Sequence, residues 1–317
     1  MTEVAIELAP FRLKPWFSER VWGRRDLRPW YEDTGTTELV GEAWLTGPDC
    51  VVESGELEGR DFKSLAAEFA AGLVGSGGGG EFPLLVKMLF PNEKLSVQVH
   101  PDDAHAQAMG QPRGKTECWY VLEAEPGATV ALGLKDGVTA EQVERAVADG
   151  TMEALLVWVP VAQGEMIFVD AGTVHAIGPG VVLLETQQTS DITFRLYDYG
   201  RPRELHLEQG LKVMKMKTRA GKVAPREMDG FTRLIEEQYF TVDRFELDEM
   251  TPLTVAMDGV GCLVGLEGTV AVITPGDDVE LLPGQAVVVP AHWGSVIVES
   301  EEGASFMRCL APGTPLP

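Results

Sequence analysis

Two of the five histidines in this 317-residue chain stand where a metal ion could use them. One closes Gln98-Val99-His100, the other sits in Gly172-Thr173-Val174-His175-Ala176-Ile177-Gly178, and Glu117 lies between them. Two imidazoles, one carboxylate and one amide oxygen make a three- or four-ligand N/O site with room for a substrate. That describes a catalytic Zn²⁺ or Fe²⁺ centre better than a closed structural one. The segments converge only as neighbouring strands of a β-barrel. Positions two apart on a strand face the same side, so Gln98 and His100 both point inward. A lone buried histidine is more often a hydrogen-bonded core residue, but four candidate ligands in one pattern reverse that reading. Gln98 has an alternative role, orienting His100 from behind the metal. His105, His206 and His292 read as structural or exposed.

The elements that must position these residues are mostly strands. Short apolar runs such as Pro83–Phe90, Glu165–Val169, Gly180–Thr186 and Gln285–Pro290 are separated by Gly, Pro and Asp turns, the pattern of a sandwich or barrel. Helices are few. Asp61 caps a segment whose apolar face is Phe62, Leu65, Ala66 and Phe69. Thr139-Ala140-Glu141-Gln142 is a capping box, with Gly150 as the stop, and Thr151 opens a shorter helix. Ser76 to Gly80 reads as a flexible loop, since no Lys-Ser/Thr follows to make it a phosphate loop. A weak repeat relates Gly164–His175 to Gly284–Ser295, placing Ser295 where the first copy has His175 and His292 three residues early. The second copy is therefore expected to keep the barrel without its metal, supplying core and cleft wall only.

Composition narrows the partners. The formal charge of −23 argues against nucleic acid or an anionic membrane. From Glu227 onward there are three basic residues against sixteen acidic ones, a net of −13, so an anionic substrate must be handled earlier in the chain. There Lys87, Lys94, Lys115, Arg195, Arg201 and Arg203 lie close in sequence to the candidate ligands, which suggests a small phosphorylated or carboxylated ligand. No apolar run reaches transmembrane length, and the start has no basic segment followed by an apolar one. Cys50, Cys118, Cys262 and Cys309 show no CxxC spacing, so the expectation is a cytoplasmic protein with reduced thiols, monomeric or weakly self-associating.

The spacing Gly-x5-Asp-x-Gly-x2-His around His175 is close to the second motif of cupins, with Gln98-x-His100 and Glu117 as a modified first motif. In particular Leu95–Asp103, Gly114–Val121, Ala171–Gly178 and Glu185–Asp198 resemble the type I phosphomannose isomerases, in the short form without an extra helical domain. Arg20-Val21-Trp22-Gly23 and Gly41-Glu42-Ala43-Trp44 extend the resemblance, which is dense over residues 10–210. Asp170 replaces a common cupin proline, and His105 an aromatic. The resemblance implies two cupin-type jelly-roll barrels, the second degenerate: a catalytic domain over 1–211 with short helical insertions, a linker over 212–226 and a metal-free domain over 227–317. It implies one Zn²⁺ per chain on Gln98, His100, Glu117 and His175, and interconversion of mannose 6-phosphate and fructose 6-phosphate.

Moving a proton between C1 and C2 through a cis-enediol needs a base, an electrophile and a phosphate anchor. Arg195 resembles the family's active-site arginine, and its permanent charge and planar donors suit enediolate or phosphate oxygens. Lys115, two positions before Glu117, would share the inner face if both lie on one strand. Asp191 matches a carboxylate proposed for proton transfer; Ser96 and Lys94 are candidate substrate contacts. Each has a plainer reading: a core serine for Ser96, a solvated rim for Lys94, an ion pair with Asp191 or Asp198 for Arg195. Two competing functions remain at this stage. One is a non-haem iron cupin oxygenase, since two His and a carboxylate also fit Fe(II). The other is a non-catalytic sugar-phosphate-binding cupin.

Overall fold

The computed structural model describes residues 8–75 and 80–312. The first seven residues, the last five, and all but Gly80 of the glycine-rich loop expected at Ser76 to Gly80 lie outside them. The chain forms two pairs of facing sheets. In the first pair, a seven-stranded sheet runs in the order 221–223, 166–169, 117–124, 181–188, 84–89, 40–44, 16–24. It faces a five-stranded sheet ordered 194–197, 97–99, 175–177, 129–134, 156–160. In the second pair, the eight-stranded sheet is 226–227, 232–236, 241–247, 304–310, 261–267, 286–289, 11–14, 51–52. Its partner has four strands, 253–256, 295–299, 270–273 and 279–281. Among the described residues no helix is long and apolar enough to cross a membrane.

The two large sheets lie back to back, and this explains their sequences. Along Glu117–Ala124 the residues Trp119 and Val121 fill the interior of the first barrel. Cys118, Tyr120 and Leu122 point the other way, into a core shared with Cys262, Val264, Met307 and Cys309 of the second barrel. A strand buried on both faces needs no polar alternation, hence the continuous apolar runs.

The chain does not divide between the barrels at a single point. Phe11–Lys14 pairs with Ala286–Val289, so the second barrel's sheet is extended by a strand from the start of the chain. Within the stretch read as a linker, Gly221–Val223 pairs with Met166–Val169 and Arg226–Glu227 with Thr232 and Arg233. Backbone groups at a sheet edge are satisfied by whichever segment arrives, and local sequence does not show that.

The helices start where their caps predict. Asp61 accepts from Ser64 N ahead of Phe62–Glu68, and both bonds of the Thr139/Gln142 capping box open Ala140–Asp149, which Gly150 ends with φ 70°. The segment after Thr151 is a 3₁₀ turn, Met152–Leu155, without a side-chain cap.

The repeat is real in backbone but shifted in its last strand. Gly164 and Gly284 take φ of 86° and 77° before matching strands. In the second copy Gly294, rather than position 292, has positive φ, and the following strand emerges one residue out of step. Val296, buried, pairs with Val255 as His175 pairs with Gln98, while Ser295 is exposed. The inward counterpart of His175 is thus an apolar valine, and that barrel is packed with Val, Leu and Phe. His292 sits outside, its Nδ1 3.0 Å from Gly72 O.

Candidate metal centre and active site

Gln98 and His175 come from the five-stranded sheet, where they are cross-strand partners, and His100 directly follows the strand that carries Gln98. Glu117 reaches them from the opposite sheet. The ligand atoms of His100, Glu117 and His175 all lie within 4.8 Å of one another, the one such group among the described residues. Each side chain is 1% exposed. His175 Nε2 is 3.3 Å and His100 Nε2 3.6 Å from the Glu117 carboxylate.

Second contacts set the imidazoles for ligation. Nδ1 of His100 lies 2.8 Å from Ile192 O and Nδ1 of His175 2.9 Å from Thr173 O. A carbonyl can only accept, so each Nδ1 carries the proton and each Nε2 presents a lone pair to the centre. Burial, reinforced by the nearby Lys115 ammonium, pushes His100 well below its ordinary range, and burial takes His175 down to about 4. Both rings are therefore neutral and able to ligate at neutral pH. Burial also lifts Glu117 up to about 7, against the pull of Lys115. Neither Glu117 oxygen has a hydrogen-bond donor of good geometry. A buried carboxylate whose Oε1 meets no donor, beside two free imidazole lone pairs, is the donor set of a divalent cation. These residues fit the metal.

Gln98 turns its NH₂ to His175 Nε2 at 3.3 Å while Ser96 Oγ donates to its oxygen at 3.3 Å. A rotated amide would present oxygen inward, and the Ser96 hydroxyl can accept as well as donate. Lys115 arrives differently from expectation. The strand begins at Glu117, and Lys115 lies on the irregular segment before it. Its Nζ nonetheless stands 2.9 Å from Glu117 Oε2 and 3.2 Å from His100 Nε2.

Beside the centre opens a cavity of about 450 Å³ whose lining includes Ser96, Gln98, Lys115, Asp191 and Arg195. Arg195, on Phe194–Tyr197, is the strand neighbour of Gln98, and its Nη1 donates to Glu204 O at 2.8 Å. The ion pair considered for it is absent among the described residues, because Asp198 is held by Arg203 at 2.6 Å and Arg201 at 2.9 Å. Asp191 is exposed in the loop whose next carbonyl, that of Ile192, holds His100. Lys94 does not join the site. It is exposed, bonded to Glu153 at 2.7 Å and lying over Trp158, since the chain turns outward before the strand at Val97.

The structure adds charge pairings around the cavity that the sequence reading did not give. Lys87 and Glu185 are cross-strand partners with a 3.1 Å ion pair, 2% and 3% exposed. Glu185 also reaches Lys115 at 3.9 Å and accepts from Trp119 Nε1 at 3.0 Å. On the cavity's far side Arg20 bonds Glu42 at 3.0 Å, and Trp44 Nε1 donates to the same oxygen at 2.7 Å. A signal was available: Lys87 and Glu185 are the single charges in otherwise apolar runs, and a buried charge needs a partner.

Residues 10–133 match the family described as phosphomannose isomerase type I, catalytic domain. The mannose-6-phosphate isomerase of Streptococcus mutans is 36% identical over 251 residues, covering 75% of this chain and 79% of that protein. The chain belongs to the type I phosphomannose isomerase family. A second member, the probable mannose-6-phosphate isomerase GmuF of Bacillus subtilis, is 30% identical over 309 residues, 92% of this chain and 96% of its own. The crystal structure of the Bacillus subtilis mannose 6-phosphate isomerase superposes with a TM-score of 0.84 at 27% identity, covering 95% of this chain and 99% of that one. As a type I phosphomannose isomerase, the chain is an aldose–ketose isomerase with a candidate metal centre in its first barrel.

Proposed function

We propose that this isomerase interconverts mannose 6-phosphate and fructose 6-phosphate, using one zinc ion held by His100, Glu117 and His175 with Gln98 as the fourth ligand. The observation that carries the reading is the buried Glu117 carboxylate set between two imidazoles whose lone pairs face it, beside a cavity lined by Lys115 and Arg195, in a chain of this family. Two neutral imidazoles with one carboxylate suit zinc, and membership of this family disfavours the oxygenase and the non-catalytic binder. A bound divalent ion supplies Lewis-acid stabilisation of charge on the sugar oxygens.

The chain's own residues supply the rest. Asp191, in the loop at the cavity, takes the proton from C2 of the open-chain aldose and returns it to C1 on the same face, while the O2 hydroxyl proton passes to O1. Lys115 and Arg195 stabilise the negative charge that develops on the enediol oxygens, with fixed positions that need no reorganisation during the step. Arg195 also has a free Nε for a phosphate oxygen. Ser96 positions Gln98 and the substrate at the cavity wall. The catalytic unit is the first barrel, whose ligands and proposed catalytic residues lie between Ser96 and Arg195, and the metal is bound there rather than in the barrel built mainly from residues 227–312. The protein acts in the cytoplasm, as a monomer or weak homo-oligomer, on a small phosphorylated hexose. The test is a coupled assay of fructose 6-phosphate formation from mannose 6-phosphate with purified protein, before and after chelation and after zinc is restored. Turnover that is lost and then recovered supports the proposal. Zinc-loaded protein that shows no turnover would end it.

A further inference from the structure

One side chain of the second barrel reaches the segment that delivers Lys115. Between the helix Asp103–Ala108 and the strand at Glu117 the chain has no regular structure, so its final amides need other partners. Gly114 N donates to Asp103 Oδ1 at 2.8 Å, Lys115 N to Pro101 O at 3.0 Å, and Thr116 N to Gln188 Oε1 at 2.9 Å. Gln188 Nε2 in turn donates to Asp103 Oδ1 at 3.0 Å. Asp103 is thus the hub of two of the three restraints. Its remaining oxygen, Oδ2, accepts from Tyr239 OH at 2.8 Å. Tyr239 lies in the turn between Thr232–Glu236 and Thr241–Leu247, on the second barrel.

The crossing tolerates little movement. A Cβ on Gly114 would stand 2.5 Å from Pro101 O and from Asp102 C, so backbone meets backbone there without a side chain between. Any rotation of the Asp103 carboxylate breaks its bonds to Gly114 and Gln188 together. One residue further on, Lys115 must place Nζ within 3 Å or so of both Glu117 and His100, and Glu117 follows directly.

We infer that Tyr239 is a positioning residue for the reaction: by fixing Asp103 it holds Gly114–Thr116, and through them Lys115, so that the second barrel shapes the active site of the first. The inference rests on the isomerase reading for its kinetic arm only. The second arm, amide hydrogen exchange, is independent of activity.

The experiment compares the zinc-loaded full-length wild type with Tyr239→Phe, Asp103→Asn and the double variant. Tyr239→Phe keeps the ring and removes one donor, so it should fold. The expected result is a roughly tenfold fall in kcat with KM within twofold, a fraction of the hundredfold that a 1 Å misplacement can cost. Exchange at Gly114 and Thr116 should accelerate, with the strands 261–267 and 304–310 unchanged. The double variant should be no slower than Asp103→Asn alone, because both act through one carboxylate. A tyrosine that only adds stability would lower the melting temperature and leave kcat and local exchange as in the wild type. That outcome overturns the inference, as does a double variant whose loss equals the two single losses combined. If even the wild type lacks turnover on mannose 6-phosphate, the isomerase reading fails and the exchange arm alone decides: acceleration at Gly114 and Thr116 keeps the linkage, and wild-type exchange removes it.

Discussion

Glu185→Gln isolates the charge of a buried network while leaving its shape. The amide oxygen can still accept from Trp119 Nε1, so packing and that hydrogen bond survive. What is lost is the anion between Lys87 Nζ at 3.1 Å and Lys115 Nζ at 3.9 Å. With an effective dielectric of about 20, those two attractions come to roughly 5 and roughly 4 kcal/mol. Desolvation of the three charges offsets most of this in the intact protein, so the network's net contribution is small. Deleting one member is different, because two ammonium groups that are 2% and 3% exposed lose their shared partner. The expected cost is about 3–5 kcal/mol, a large share of a typical total of roughly 5–15. With a urea slope of about 3 kcal/mol per molar, the unfolding midpoint should fall by about 1–1.7 M. Adding Lys87→Met removes the stranded charge, so the double variant should recover at least half of the loss. The sign with pH is also set. Burial alone would raise the Glu185 carboxyl, but Lys87 and Lys115 together hold it below its ordinary 4.5. A depressed carboxyl contributes fully above its unfolded value, and the contribution is lost as pH falls through the folded one. The gap between wild type and variant should therefore be flat from about pH 6 to 8 and close only in acid. Urea titrations with zinc present, across that range, are the assay. A midpoint drop below about 0.3 M, or a double variant costing as much as both singles added, would refute the reasoning.

Three further outcomes follow from the same geometry. His100→Ala and His175→Ala should each lose the stoichiometric metal found in the wild type, measured by elemental analysis after dialysis; full retention in both would remove the site. Arg195→Ala should lower kcat by roughly 10²–10³ with a smaller change in KM, as loss of one preorganised donor does, and steady-state kinetics on mannose 6-phosphate would expose a purely structural role as normal kcat with lower stability. In the second barrel, Val296→Asp should cost more than about 4 kcal/mol by burying an unpaired carboxylate, while Ser295→Ala should stay within about 0.5 kcal/mol; equal effects in thermal melts would restore Ser295 as the inward residue.

The sequence alone determined the class of fold and the residues of the candidate metal cluster, for a physical reason. Strands announce themselves by apolar runs between turn residues, and ligand chemistry is carried by residue type. So the cluster of His100, Glu117 and His175 was legible before any coordinates, as were the caps at Asp61 and Thr139. The family resemblance pointed to Arg195 and Asp191, and both line the cavity beside that cluster. Distances across the barrel were not. That Glu117 comes from one sheet and His175 from the other, or that Lys87 finds Glu185, depends on register between strands about a hundred residues apart. Lys94 and Ser295 show the limit from the other side, since each sits near a site in sequence and is carried outward by a turn. Sheet edges were the least legible of all. Phe11–Lys14 completes the second barrel's sheet and Tyr239 reaches the loop before Glu117, because unpaired backbone and carboxylate groups take whichever donor the tertiary fold brings to them.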